Sequence, residues 1–244
     1  MKKILKRILL ILAIFILILI IVGVVFYFRF RAETKNMNPV PTGQVTADVV
    51  AIKDGIVNMF LIKDSNQYVA VDAGNNAEAI GSALKALGID PTLVEAVLLT
   101  HTDRDHVAAL PLFTNAKIYI SRPEELMITG KKKKFLWFGN SLGNAKYTLL
   151  DDGQTLQIGK LTIKGILTAG HTSGSMCYQV NKKYLFTGDI LTLKDGHIQS
   201  SIKLFDMDHE AAIKAIPLIT KLPGVQYIFT AHTGFTNDYA RAVK

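Results

Sequence analysis

The chain has 244 residues, 49% of them hydrophobic, one cysteine and a formal charge of +8, enough apolar content to bury a sizeable core and too much for a disordered chain. Seven of the 28 basic residues fall within positions 1–35 against one acidic residue, Glu33, so the remainder carries 21 basic and 19 acidic residues and offers no electrostatic track for a nucleic acid. A lone cysteine, Cys177, excludes an internal disulfide framework and a cysteine-based zinc cage, which leaves histidine and carboxylate as the available metal ligands.

From Ile8 to Phe28 no side chain is charged or strongly polar. As a helix this run would be about 31 Å long, the thickness of a bilayer's hydrocarbon core. It predicts a single transmembrane span inside an anchor of residues 1–35. Signal-peptide apolar regions are shorter, roughly 7–15 residues, and a buried core helix keeps a polar face. Lys2, Lys3, Lys6 and Arg7 precede the span while Arg29, Arg31 and Lys35 follow it. That balance, with the amino terminus added, favours an N-in orientation and an extracytoplasmic domain. Phe26, Tyr27 and Phe28 would sit at the exit interface, and the lipid bilayer is the expected partner of this helix. No protein partner is identifiable. Residues 36–43, with Pro39 and Pro41, read as a short stiff linker, and residues 44–244 as the folded domain.

Within that domain, β-branched extended runs fall at 45–52, 56–62, 68–72, 96–100, 117–120, 161–167, 177–180, 184–186 and 226–230. Helical periodicity appears at 76–87, closed by Gly88, and at 209–221, with Asp206 and Asp208 as candidate caps. Many strands and few helices without strict alternation argue for a layered α/β arrangement. The stretch 131–138, Lys131 to Lys134 followed by Phe135, Leu136, Trp137 and Phe138, has three readings: a solvated loop packed through its aromatics, a border of the substrate pocket, or a contact with anionic lipid.

The chemistry concentrates at strand ends. After the apolar run 94–99 comes Thr100-His101-Thr102-Asp103-Arg104-Asp105-His106, four potential ligands in six residues. Gly170-His171-Thr172-Ser173-Gly174-Ser175, Thr187-Gly188-Asp189 and Thr230-Ala231-His232-Thr233-Gly234 each set one His or Asp beside a strand end, with a glycine close by to permit a tight turn. Convergence of four strand ends on a metal pair is the economical explanation. Cys177 reads as a small buried hydrophobe, while His197 and His209 lie outside the ligand pattern. Tyr178 and Phe235 are candidates to line a pocket.

This order of motifs, together with Val71-Asp72-Ala73-Gly74 and Asn58 upstream, resembles the metallo-β-lactamase superfamily over essentially the whole of residues 44–244. The later motifs look most like its hydroxyacylglutathione hydrolase branch. The resemblance implies a four-layer αββα sandwich with two divalent ions, zinc foremost, at one edge between the sheets. It implies His101, Asp103 and His171 at the first ion, Asp105, His106 and His232 at the second, and Asp189 bridging them. Asp72 matches a position that supports the metal loop, and Asp105 would also guide the nucleophile. Asp103 stands where most members have a second histidine. A carboxylate there hardens the site and admits iron or manganese beside zinc, and its shorter reach admits a one-ion site of Asp105, His106, Asp189 and His232.

A dinuclear site of this kind suits hydrolysis of a small ester, thioester, lactone or related carbonyl compound by activated water. The alternatives are a metal-dependent phosphodiesterase, an iron-dependent oxidoreductase and a catalytically silent metal-binding module. No serine nucleophile elbow, P-loop or dinucleotide fingerprint is present.

Overall fold

The structure is a computed structural model and describes residues 2–134 and 139–244. It divides into two units, one ending at Met37 and one spanning Asn38–Lys244. The first is a helix, α1 (Lys2–Thr34), with no buried residue and long and apolar enough to cross a membrane. It runs past the apolar stretch at both ends, into Lys2–Arg7 and Arg29–Thr34, because basic side chains are good helix formers.

The second unit is built on two sheets. One contains β1 (Gly43–Gln44), β2 (Val49–Asp54), β3 (Val57–Asp64), β4 (Gln67–Val71), β5 (Val94–Leu98), β6 (Lys117–Ser121) and β7 (Tyr147–Leu150), in chain order across the sheet. Its first four strands are antiparallel and β4 through β7 run parallel. The other contains β8 (Thr155–Ile158), β9 (Leu161–Leu167), β10 (Met176–Val180), β11 (Tyr184–Phe186), β14 (Tyr227–Phe229) and β15 (Phe235–Thr236), in the order β15-β14-β11-β10-β9-β8. A separate hairpin pairs β12 (Leu191–Lys194) with β13 (His197–Ser200).

The alternation of strand side chains explains the layers. On β3, Met59 and Leu61 enter a core shared with Ile80 and Leu84 of α2 (Ala77–Ala86), whereas Phe60 and Ile62 face a second core with Tyr178 and Phe186. Both faces of the strand are covered, so it reads as a continuous apolar run. On β10, Met176, Tyr178 and Val180 belong to the inter-sheet core, and Cys177 faces a third core with Ala212, Ala215 and Ile219 of α5 (His209–Thr220). Three cores separate four layers, in the αββα order. Tyr178 is thus fully buried, its hydroxyl donating to Leu99 O at 2.9 Å.

Local signals fix the helix ends. Asn76 Oδ1 accepts from the amides of Glu78 and Ala79 at the start of α2, and Gly88, at φ +67°, follows its end. At α5 the cap is Asp208, which accepts from Ala211 N. Asp206 has a different task, described below.

Candidate metal centre

Four connections deliver the chemistry-bearing side chains to one edge of the sandwich. The loop after β5 leads through His101 and Asp103 into α3 (Arg104–Val107), the loop from β9 to β10 carries His171, and Asp189 and His232 follow β11 and β14 closely. The backbone ties these loops together: Met176 N donates to Thr100 O, Ala231 N to Gly188 O and Asn58 N to Ala231 O. Asn58 also holds the segment before β1, accepting from Val40 N at 2.7 Å and donating to Val40 O at 2.8 Å.

All seven residues singled out in the sequence meet here. His171 Nε2 lies 3.3 Å from Asp103 Oδ2 and 3.3 Å from Asp189 Oδ2, and His101 Nε2 lies 3.6 Å from Asp103 Oδ2. On the other side His232 Nε2 is 3.6 Å from Asp105 Oδ2 and 3.1 Å from Asp189 Oδ2, while His106 Nε2 is 3.4 Å from Asp189 Oδ1. The donor atoms group as His101, Asp103, His171; as His101, His106, Asp189; and as Asp105, His106, His232, each set within 4.8 Å. We refer to the Asp103 side as the first position and the Asp105 side as the second.

The outer nitrogens of the imidazoles fix what the inner ones present. His106 Nδ1 is 2.9 Å from Asp72 Oδ2, His171 Nδ1 is 3.1 Å from Asp206 Oδ1 and His232 Nδ1 is 2.6 Å from Ile56 O. Carboxylate and carbonyl oxygens only accept, so each of these Nδ1 atoms donates and each Nε2 faces inward, where it offers a lone pair whenever the ring is neutral. His101 completes the set: Thr100 Oγ1 donates to Asp72 and therefore accepts from His101 Nδ1 at 3.1 Å. Four inward Nε2 atoms beside three carboxylates form a donor set that a divalent cation would engage in place of protons. The buried His101 Nε2, His106 Nε2 and Asp189 Oδ1 make no hydrogen bond, a costly arrangement in a protein interior unless a cation meets them.

The electrostatics agree. Burial opposes ionisation of Asp189, yet His232, His106 and His171 around it hold its carboxyl well below the usual range. Asp103 is lowered too, burial being outweighed by the imidazoles of His101 and His171 beside it. For His106, burial is overcome by Asp189, Asp72 and Asp105, which push it well above the ordinary imidazole value. Burial and the adjacent His106 lower His101.

Asp72 ties the loop after β5 to His106 through hydrogen bonds. Its carboxylate accepts from Thr100 N at 2.8 Å, from Thr100 Oγ1 and from His106 Nδ1, and its own backbone sits at φ +61°, a conformation aspartate tolerates better than most residues.

Sequence reasoning missed the part that three further residues play here. Buried Glu124 accepts from Thr102 N and Oγ1 with one oxygen and from Thr172 Oγ1 and Gly174 N with the other, clamping the first metal loop to the His171 loop. Gly174 is needed there because a Cβ would collide with the Glu124 backbone. Asp206 accepts from His171, Ser201 and His209, which gives His209 a supporting place as well. Lys134 brings its Nζ to 2.5 Å from Asp103 Oδ2 and 2.8 Å from His171 Nε2. Its place in a run of four lysines hid it, although one of the three readings of that stretch was a pocket border. Lys134 and Asn140 do line a cavity of about 460 Å³ with Thr102, Asp103, Arg104 and Val107. Residues 135–138 of that stretch lie outside the described residues.

The sequence profile of the metallo-beta-lactamase superfamily matches residues 52–239. The chain belongs to that superfamily. Among curated metallo-beta-lactamase-fold relatives, a probable polyketide biosynthesis zinc-dependent hydrolase of Bacillus velezensis is 36% identical over 135 residues, which is 53% of either chain. A hydroxyacylglutathione hydrolase of Psychromonas ingrahamii is 29% identical over 194 residues, 78% of this chain and 66% of that one. The chain thus spans about half to two thirds of the length of these two relatives. A solved B3 metallo-beta-lactamase with an active-site glutamic acid superposes with a TM-score of 0.65 at 21% identity, covering 86% of this chain and 90% of its own, a likeness of fold.

Proposed function

We propose that the chain is a metallo-hydrolase, anchored in a membrane by α1, that cleaves a small thioester, ester or lactone with the help of zinc. The observation that carries the reading is the set of four inward-facing Nε2 atoms and three carboxylates, among them buried atoms without a hydrogen-bond partner. Zinc-dependent and hydroxyacylglutathione-cleaving relatives support the choice of ion and of carbonyl chemistry.

Asp105, His106, His232 and Asp189 would hold the ion at the second position. A bound zinc supplies hydroxide near neutral pH, lowering the pKa of water from 15.7 to about 7, and polarises a carbonyl. The remaining work falls to the chain. Asp72, Asp206 and Ile56 O fix the tautomers, so no imidazole must turn before use. Asp105, the more exposed carboxylate of the centre, is placed to accept the proton of an attacking water and hold it there for the leaving group. Arg104 along the cavity favours a substrate that carries a negative charge beside its carbonyl.

The full-length chain, purified in detergent, tests the reading: zinc content by mass spectrometry, and turnover of a panel of thioesters, esters and lactones before and after chelation. At least one zinc per chain, and turnover lost on chelation and restored by zinc, are expected. A zinc-loaded chain that cleaves nothing in the panel would sink it. The N-in orientation predicts that protease added outside intact cells removes the domain; a protected domain reverses that orientation.

A further inference from the structure

The first position already contains a cation. We propose that the Lys134 ammonium occupies it as a resident charge, in place of a second metal ion, so that the chain takes up a single ion at the second position. This rests on the metal-dependent reading above and departs from the two-ion expectation.

The geometry is that of a substitute ligand-acceptor. Nζ contacts Asp103 Oδ2 at 2.5 Å and His171 Nε2 at 2.8 Å, two of the three donor atoms that would define the first metal position. His171 is in the tautomer that either partner requires, because Nδ1 donates to Asp206 and the inward lone pair can accept from an ammonium or bind a metal. The Lys134 side chain is only 7% exposed. A lysine withdrawn from water to that degree must find an anion, and Asp103 is that anion. Asn140 Nδ2 engages the other oxygen of Asp103 at 3.0 Å and Thr102 Oγ1 at 2.9 Å, so the carboxylate is held in place for the lysine from both sides.

The same pairing accounts for the residue that departs from the family pattern. A third imidazole at position 103 would offer a metal its lone pair but give an ammonium no counter-charge, whereas an aspartate can serve both. A divalent ion entering beside Nζ would meet a like charge at hydrogen-bonding distance from shared ligands, so it must first expel Lys134. The second position has no such rival: among the described residues its carboxylates, Asp105 and Asp189, pair with histidines.

The test is metal stoichiometry, independent of turnover. Full-length wild type and Lys134→Met, both in detergent, are stripped with a chelator, reloaded with zinc and measured by elemental and native mass spectrometry. Circular dichroism melting checks that the variant folds, and Lys134→Gln replaces it if it does not. Wild type should retain one zinc per chain, any second equivalent binding at least 100-fold more weakly in competition with a chromogenic chelator, and the variant should retain two. Two tight zincs in wild type, or one in a folded variant, overturns the proposal while leaving the metal-dependent reading intact. No zinc in either chain removes both.

Discussion

The two sides of the centre are supported by different means. Behind the second position stand a buried carboxylate and a main-chain carbonyl: Asp72 holds His106 and the Thr100 amide at once, and Ile56 O holds His232. Behind the first, His171 leans on Asp206, and Asp103 is gripped from the cavity side by the side chains of Lys134 and Asn140. The Asp72 and Asp206 side chains are 3% and 0% exposed, while the Asp103 side chain is 20% exposed. The interior of the fold thus fixes the imidazoles at both positions, and only Asp103 of the first is held from a cavity-lining loop. A superfamily can vary the second kind of support without disturbing the sandwich.

The largest effect should come from cutting the interior support. Asp72→Ala leaves Thr100 N, Thr100 Oγ1 and His106 Nδ1 without their common acceptor. We expect a loss of about 3 kcal/mol in unfolding free energy, the order found when one partner of a buried charged pair is removed. Zinc affinity at the second position should fall by roughly 10- to 100-fold as His106 loses its orientation. Denaturant melting and chelator competition measure the two separately. An unchanged affinity would mean that the interior support is dispensable and the contrast between the positions is false.

Cutting the support of the first position should do less. Asp206→Ala removes the acceptor of His171, Ser201 and His209 and should cost about 1.5 to 3 kcal/mol, the usual scale for hydrogen bonds to a charged group. The single bound zinc should remain. If the ion is lost with Asp206, the two positions act as one cooperative unit.

How far the sequence foretold this arrangement follows from the range of the interactions. Elements whose signals are local were readable: the buried runs of β3 and β5, and α2 with its Asn76 cap and Gly88 stop. The seven residues of the centre were readable because each stands beside a strand end in a motif of fixed order. Glu124, Asp206 and Lys134 were not, since their partners at Thr172, His171 and Asp103 lie 48, 35 and 31 residues away and no local pattern announces a long-range acceptor. The β12–β13 hairpin is a different case. Asp195 and Gly196, at φ +53° and +80°, form the two-residue turn that an Asp-Gly pair between alternating runs announces, so that signal was present in the sequence.

The smallest expected effect probes whether the interior scaffold exists before any ion binds. Cys177 lies between the loops that carry His171 and Asp189, its sulfur 3.4 Å from Thr168 Oγ1 and 3.7 Å from Thr187 O. Burial pushes its thiol up to about 12, so at pH 8 the reactive thiolate would be on the order of one part in 10⁴ even if reagent could reach it. Raising the pH brings the folded thiol towards ionisation only near 12, whereas an exposed thiol ionises near 8.5. Iodoacetamide at pH 8 should therefore leave Cys177 unmodified in the native chain and alkylate it fully in denaturant, as read by intact mass. If the scaffold is preformed, stripping zinc should not accelerate labelling, because β10, β11 and β14 are held by their own ladder and not by the ion. Labelling that rises on chelation would show the strand ends opening without metal, and the interior support would then be a consequence of the ion instead of its preparation.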